Sequence, residues 1–133
     1  MVLGLKNKYD SLLMHNLTEN SASLKDNSGL LKNAIDYIEK NYKRAITLKE
    51  LCANCCVSKQ HLNRCFNKSL NITPMAFVIQ YKIFKACDML QQPDYSIKAI
   101  SFELGFDNQC YFSKVFKRVT GESPSNYKQR FIK

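Results

Sequence analysis

The stretch "YSIKAISFELGFDNQCYFSKVFKR", residues 95–118, decides the fold, because it consists of two helical patterns separated by a tight turn. Ser96 is a favoured N-cap residue for the first helix, and Gly105 fits the positive φ that a helix-ending turn requires. Apolar residues return at helical spacing after the turn, so that Phe112 and Phe116 would lie on the buried face of the second helix. The pattern predicts a helix-turn-helix.

The same pattern occurs earlier in the chain as "ITLKELCANCCVSKQHLNRCFNK", residues 46–68. The two copies align with an offset of 49 residues up to the turn, which pairs Cys56 with Gly105. The offset is 50 residues after the turn, which pairs Arg64 with Lys114. One helix-turn-helix is weak support for nucleic-acid recognition, because many all-α proteins contain one. Two copies at a fixed spacing are a much stronger indication.

Start and stop signals extend this pattern along the chain. Thr73-Pro74 and Ser123-Pro124 each place an N-cap residue before a proline at the first helical position. We expect an all-α fold of seven helices, in which two helix-turn-helix subdomains are joined by a long linker helix. The expected ranges are about 47–69 for the first subdomain, about 74–91 for the linker helix and about 96–120 for the second subdomain.

Residues 1–28 form a separate zone that is too short to be a domain. The apolar residues of 6–17 lie near helical spacing and predict an amphipathic helix, whereas the Ser- and Asn-rich residues 18–29 are expected to form a linker. The expected ranges after this zone are 29–133 for the domain and about 30–42 for its first helix.

The chain is strongly basic, with a net charge of +9 and a pI near 9.3. Residues 1–28 contain three Lys and three Asp or Glu, so that the whole excess lies on residues 29–133. This charge indicates a polyanionic partner, nucleic acid first and an anionic membrane surface second. No apolar run approaches the roughly 18 residues that would span a bilayer, and no signal peptide is evident. We expect a cytoplasmic protein with no membrane partner.

Six cysteines occur, at positions 52, 55, 56, 65, 87 and 110. The Cys52-x-x-Cys55 spacing is compatible with a redox pair or with half of a zinc site, but the chain has no second CxxC to complete such a site. Both residues also fall on the expected buried face of a helix, and free Cys is among the most buried residue types. We therefore favour a packing role over metal or redox chemistry, and expect no metal and no cofactor.

The second helix of each copy has polar and basic side chains on the face that remains when the core positions are removed. The one acidic residue near these faces is Asp107, which we expect to cap the second of these helices. Asn and Gln can pair with adenine, and Arg and Lys with guanine, so these faces suit duplex DNA. The outward residues are Lys59, Gln60, His61, Asn63, Arg64, Asn67 and Lys68 in the first copy and Asn108, Gln109, Cys110, Ser113, Lys114, Lys117 and Arg118 in the second.

Residues 30–131 resemble the DNA-binding domain of the AraC/XylS family of bacterial transcription regulators. The family pattern is I-x-x-I-A-x-x-x-G-F, then an aromatic-Phe-Ser-basic-x-Phe-Lys run, then Gly-x-x-Pro, and it is matched within "SIKAISFELGFDNQCYFSKVFKRVTGESPSNYK". Ser101 replaces the usual Ala, and Lys82 on the linker helix stands where the family usually has Arg. The resemblance implies a homeodomain-like fold. It also implies a sequence-specific transcription regulator, not an enzyme, that inserts two recognition helices into successive major grooves of promoter DNA.

The resemblance also implies which residues contact DNA and which other partners to expect. RNA polymerase is a second candidate partner, and the family usually has a sensor or dimerisation domain, for which this chain has no segment of sufficient size. The base contacts would fall on Gln60, Asn63 and Arg64 in the first recognition helix and on Gln109, Cys110, Ser113 and Lys114 in the second. The phosphate contacts would fall on Lys59, His61, Lys68, Lys117 and Arg118.

Two other classes of function stay open from the residues alone. An enzyme would need a catalytic set, and we find no paired carboxylates, no Ser/His/Asp set and no phosphate-binding glycine loop; Cys56 near His61 has no third group to complete a thiol nucleophile. A pure interaction module would bind an acidic protein or use residues 6–17 to form a dimer. Retardation of random duplex DNA at low salt separates the DNA-binding protein from such a module.

Overall fold

The computed structural model describes the backbone of residues 25–131 and the side chains of residues 29–131. Seven helices and no strand lie within this range, which confirms the predicted all-α class. The helices are α1 (Lys25–Asn41), α2 (Leu48–Cys55), α3 (Lys59–Leu70), α4 (Pro74–Leu90), α5 (Ile97–Glu103), α6 (Gln109–Thr120) and α7 (Pro124–Gln129). None of these helices is both long and apolar enough to cross a membrane. The amphipathic helix predicted for residues 6–17 lies outside the described residues.

Helix α1 begins earlier than its apolar stripe indicates. The sequence predicts a start near Leu30 and assigns residues 18–29 to a linker, but the backbone is helical from Lys25. The linker prediction is therefore wrong for residues 25–29. Once a helix has been nucleated by packing, each added residue gains one backbone hydrogen bond, so a polar segment can extend an amphipathic helix beyond its buried face. Gly29 is exposed within this extension.

The described residues form two compact units. The first unit consists of residues 25–41 and 46–78, and the second consists of residues 42–45 and 79–131. Helix α4 therefore contributes its beginning to the first unit and its remainder to the second. The short segment 42–45, which connects α1 to α2 along the chain, belongs to the second unit, although both of its neighbours in sequence belong to the first.

The first unit is a small bundle in which α1 packs against α2 and α3. Its fully buried side chains come from each of these helices and include Ile38, Leu51, Leu62 and Phe66. The ring of Phe66 meets that of Phe77 edge to face, with 5.6 Å between the ring centroids. Burying each large apolar side chain stabilises the fold by roughly 2–3 kcal/mol. The buried side chains of α3 therefore fix its inner face against the core.

The second unit has an aromatic core. Helix α6 packs against α5 and α7, and the rings of Phe112, Phe116 and Tyr127 are all completely buried. Their centroids lie 5.9 Å apart between the two phenylalanines and 5.7 Å apart between Phe116 and Tyr127. Helix α4 adds Ile83 and Leu90 to the same cluster. The inner face of α6 is thereby fixed, and its opposite face is left to solvent.

The turn between the two helices has the same backbone structure in both copies. Cys56 has φ 58° and Gly105 has φ 83°, as the sequence alignment of these two positions predicts. In the first copy the amide of Cys56 donates to the Ala53 carbonyl (3.3 Å), and the amide of Val57 donates to the Cys52 carbonyl (3.1 Å). The same two bonds recur 49 residues later, and the pattern is that of a Schellman motif.

A second reason for glycine at position 105 is the small space beside its Cα atom. A Cβ atom at Gly105 would lie 2.5 Å from the carbonyl carbon of Arg44 and 2.8 Å from the amide nitrogen of Ala45. The backbone of segment 42–45 therefore runs directly against the turn of the second unit. Glycine is needed here both for its positive φ and for this close approach.

The cysteines divide by burial. Cys52, Cys65 and Cys87 are buried, which confirms the packing role predicted for Cys52, whereas Cys55 is half-buried and Cys56 and Cys110 are exposed. Burial raises the pKa of the Cys87 thiol to about 12 and also raises the pKa of Cys55 and Cys65. No group of three or more His, Cys, Asp or Glu side chains in the described part of the chain is arranged to hold a metal ion.

The two left-handed glycines provide a test of the close approach at Gly105. Gly121 has φ 92°, but a Cβ there would meet no atom within 4 Å. Gly121→Ala should therefore lose only about 1 kcal/mol of unfolding free energy from backbone strain. Gly105→Ala should lose at least about twice as much, because strain and a backbone clash add. Thermal unfolding followed by circular dichroism measures both. Equal losses for the two variants would contradict the packing of segment 42–45 against the turn.

Candidate nucleic-acid interface

Helix α3 is the second helix of the first copy and begins at a well-formed cap. The Ser58 hydroxyl accepts a hydrogen bond from the His61 amide at 3.1 Å. Leu62, Cys65 and Phe66 are buried, so the opposite face of the helix projects to solvent. Asn71 ends the helix in a left-handed conformation, and its amide donates to the Asn67 carbonyl at 3.0 Å. The face and both ends of α3 are thus set by local sequence.

Helix α6 repeats this construction 50 residues later, with one correction to the sequence analysis. The cap is Asn108, whose side-chain oxygen accepts a hydrogen bond from the Tyr111 amide at 2.7 Å; the expectation that Asp107 caps the helix is wrong. Asp107 is the extra residue of the second turn, so that Asn108 takes the position of Ser58. Gly121 closes the helix as Asn71 closes α3.

The repeat continues into the helix that follows each recognition helix. Thr73 accepts a hydrogen bond from the Ala76 amide at 3.1 Å, and Ser123 accepts one from the Asn126 amide at 3.1 Å. Both are followed by the proline that the sequence places at the first helical position. The duplicated sequence is therefore a duplicated structure from the first helix of each copy to the start of the next element.

The structure places the twelve residues implied as DNA contacts on the outer faces of α3 and α6. Ten of them are exposed, and Asn63 and Ser113, which occupy equivalent positions in the two helices, are half-buried at the edge of the face. The exposed residues are Lys59, Gln60, His61, Arg64 and Lys68 on α3 and Gln109, Cys110, Lys114, Lys117 and Arg118 on α6. Each helix therefore brings its own set of implied contacts to one solvent-facing surface.

Both surfaces are electrostatically uniform. Helices α3 and α6 each carry three Lys or Arg residues and neither contains Asp or Glu. The acidic residue that follows α6, Glu122, is already paired with Arg130 at 2.7 Å. The amide groups at each helix start add positive potential, because the helix dipole is positive there. Such a surface attracts anions, most strongly where the lysine and arginine side chains lie.

The two faces differ at two matched positions. Gln60, which has both a donor and an acceptor, is matched in α6 by Cys110, whose thiol is a weak hydrogen-bond former. Arg64 is matched by Lys114, so a planar fork of donors in α3 becomes a point charge in α6. The first surface is consequently better equipped to distinguish bases than the second.

Tyr111 is a surface residue that the sequence pattern did not indicate. It is 48% exposed, occupies the position of His61, and its ring lies 6.0 Å from that of Phe106 between centroids. Adjacent aromatic residues in a helix suggest core positions, but the core of α6 lies on the side of Phe112. On a helical projection Tyr111 lies beside Arg118, seven residues later in the chain. This position is the signal that could have revealed the exposure of Tyr111.

A known family model, described as a helix-turn-helix domain, matches residues 51–130, which is more than half of the chain. The chain belongs to the AraC/XylS family. A curated relative, the bifunctional transcriptional activator/DNA repair enzyme AdaA of Bacillus subtilis, is 33% identical over 94 residues, which is 71% of this chain and 44% of AdaA. The chain spans between 31% and 44% of the length of this and three other curated relatives that it matches.

Solved structures show the same fold as this AraC/XylS-family chain. The C-terminal domain of AraT, a response regulator from Geobacillus stearothermophilus, superimposes with a TM-score of 0.72 at 28% identity, over 76% of this chain and 84% of that domain. The DNA-binding domain of AdpA, solved in complex with a target DNA, superimposes with a TM-score of 0.71 at 20% identity, over 77% of this chain and 91% of that domain.

The capping of α6 provides a test of how the second recognition helix is held. Asn108→Ala should cost about 1 kcal/mol of unfolding free energy, because the Tyr111 amide loses its acceptor. Asp107→Ala is the matched control and should change stability by less than about 0.5 kcal/mol, because it caps nothing. Chemical denaturation of both variants measures the difference. A larger loss for Asp107→Ala would restore the original cap assignment.

Proposed function

We propose that this chain is the sequence-specific DNA-binding part of a transcription regulator. The observation that carries the proposal is the presence of two structurally equivalent, exposed helices whose faces are basic and free of carboxylates. A duplicated helix-turn-helix accounts for both the repeat and the location of the charge. In the proposed mode each recognition helix enters a major groove, and the two grooves are successive along the duplex.

In this proposal the first recognition helix supplies the side chains best suited to hydrogen-bond base edges. Arg64 can donate two hydrogen bonds to guanine, and Gln60 and Asn63 can each pair with adenine. The second helix would use Gln109, Ser113 and Lys114 in the same way. Cys110, near the start of this helix, is small and apolar enough to contact a thymine methyl group.

The remaining implied residues would contact phosphate. Lys59, His61 and Lys68 flank the first face, and Lys117 and Arg118 flank the second. We add Tyr111 to this set, because its exposed ring lies at the position of His61 and its hydroxyl can donate to a phosphate oxygen. These contacts release counterions, so the affinity should fall steeply as salt rises.

We further assign the chain a regulatory and not an enzymatic role. AdaA, whose name includes a repair activity, aligns with this chain over less than half of its length, and the aligned features here are those of a helix-turn-helix. RNA polymerase and a sensor or dimerisation domain are proposed as further partners, in keeping with the family. A bound duplex that recruits polymerase in a reconstituted transcription assay would support the first of these.

A comparison of two basic residues on α3 separates base contact from phosphate contact. After selection of a binding site from a random duplex pool, Arg64→Ala should weaken binding to the selected site by about 1–3 kcal/mol and relax the preference at one base pair. Lys68→Ala should weaken selected and random duplexes equally and reduce the slope of log affinity against log salt by about 1. Fluorescence anisotropy over a salt series measures both effects.

The matched control for these variants is Lys32→Ala, which removes the same charge from an exposed position on α1. Its affinity should remain within about twofold of the parent, because single charges outside the contact surface are largely screened. The proposal would be rejected if the parent chain retarded no duplex at low salt. An equal loss in all three variants would reduce it to nonspecific attraction.

The two exposed cysteines test whether the second recognition helix reaches DNA. Iodoacetamide should modify Cys56 and Cys110 first, because the other thiols are wholly or partly buried. Bound duplex should slow the modification of Cys110, which lies on the exposed face of α6, at least about tenfold more than that of Cys56, which lies in a turn. Peptide mass spectrometry resolves the two sites. Equal rates at Cys110 with and without saturating duplex would exclude α6 from the interface.

A further inference from the structure

Lys82 is a buried lysine whose partners are all backbone carbonyl groups. It lies on α4 and is only 5% exposed. Its ammonium group donates to the carbonyl oxygens of Tyr42 at 2.8 Å, Arg44 at 2.7 Å and Leu104 at 2.5 Å. An ammonium has three N–H donors and no acceptor, so the three carbonyl groups use its whole hydrogen-bonding capacity.

These three carbonyl groups come from two parts of the second unit that are far apart in sequence. Tyr42 and Arg44 belong to segment 42–45, and Leu104 is the C-cap of α5, immediately before the left-handed Gly105. The ammonium therefore joins α4, the segment and the turn of the second helix-turn-helix at one point. The last carbonyl groups of a helix carry partial negative charge, which favours a cation at the end of α5.

The surroundings of Lys82 fit an ammonium better than a guanidinium. Three acceptors that converge on one nitrogen match the compact head of lysine, whereas a planar guanidinium spreads its donors over three nitrogens. Phe106 directly follows the turn residue Gly105, and the centroid of its ring lies 5.8 Å from the ammonium nitrogen. Burial and the Arg44 guanidinium lower the pKa of Lys82 to about 8, so that it is still mainly protonated at pH 7.

The contact at Gly105 and the contact at Lys82 reinforce each other. The missing Cβ of Gly105 allows the backbone of Arg44 to touch the turn, and Lys82 then bonds the carbonyl groups on both sides of that contact. The turn in turn leads, through Phe106 and the extra residue Asp107, to the Asn108 cap of α6. A shift of this junction would shift the start of the second recognition helix.

We propose that Lys82 is a positioning residue for DNA recognition, which sets the turn of the second helix-turn-helix and thereby the direction of α6. The role rests on the proposed DNA-binding function for its consequence, but the junction itself exists without DNA. Lys85, one turn further along α4, contacts the rings of Tyr42, Tyr81 and Phe84 and supplies a matched control of equal charge.

The experiment compares amide hydrogen exchange in the parent chain, Lys82→Met and Lys85→Met at pH 7. Lys82→Met removes all three donors and keeps an unbranched apolar side chain as far as Cε. The amides of Gly105 and Phe106 should exchange at least about tenfold faster, because buried carbonyl groups are left without partners. The equivalent amides of Cys56 and Val57 in the first turn should be unchanged, and Lys85→Met should leave both turns unchanged.

DNA binding gives the functional readout. Lys82→Met should weaken binding to a selected duplex about tenfold and abolish the protection of Cys110, while Arg64→Ala in this background still relaxes the preference at its own base pair. Lys82→Arg should recover part of the affinity, because a guanidinium can serve two of the three carbonyl groups. Failure of the parent chain to bind any duplex would reject the proposed function, whereas the exchange result would still decide the role of Lys82 in the turn.

Three results would overturn the proposal: unchanged exchange at Gly105 in Lys82→Met, equal acceleration in both turns, or the same pattern in Lys85→Met. Should Lys82→Met not fold, nitrogen-15 spectra of the parent chain decide the matter instead. A lysine ammonium signal that exchanges slowly with water, and that disappears in Lys82→Arg, is expected from the three hydrogen bonds. The absence of any such signal in the parent at pH 6 would reject the junction.

Discussion

Each helix-turn-helix in this protein depends on one residue held at positive φ between its two helices. This residue reverses the chain within a single Schellman motif, so that the second helix can return across the first with its apolar face inward. Cys56 adopts this conformation at some cost in backbone strain, and Gly105 adopts it without that cost. Every later feature of the two recognition helices, from their caps to their exposed faces, begins from these two turns.

Burial on one side and charge on the other then divide each recognition helix. The cores take Leu62 and Phe66 from α3 and Phe112 and Phe116 from α6, which leaves the basic and amide side chains no position except the solvent face. Because neither helix contains a carboxylate, the cations on these faces have no intrahelical partners to neutralise them. The solvent faces of both helices therefore have a positive electrostatic potential, which attracts a polyanion. This attraction is the physical basis of the proposed DNA binding.

Local signals accounted for most of the architecture, and each miss has its own physical cause. The caps at Ser58, Ser96 and Ser123 were predictable because a hydroxyl that accepts from an amide three residues later needs no information from elsewhere in the chain. The cap at Asn108 was misplaced by one residue, since two good capping residues are adjacent and only the backbone of the turn selects between them. Tyr111 was overlooked because an aromatic residue next to core phenylalanines resembles one of them.

Caps, periodicity and charge specify most helix boundaries, the duplication and most residues of the two basic faces, because these signals act over a few residues. Tertiary packing places segment 42–45 in the second unit. It leaves no room for a Cβ atom at Gly105, beside the backbone of Arg44. It also brings three backbone carbonyl groups within hydrogen-bond distance of the Lys82 ammonium. These contacts join residues 22 to 61 positions apart in sequence. No local pattern specifies such a contact, since it exists only when the cores of the fold have brought the two backbones together.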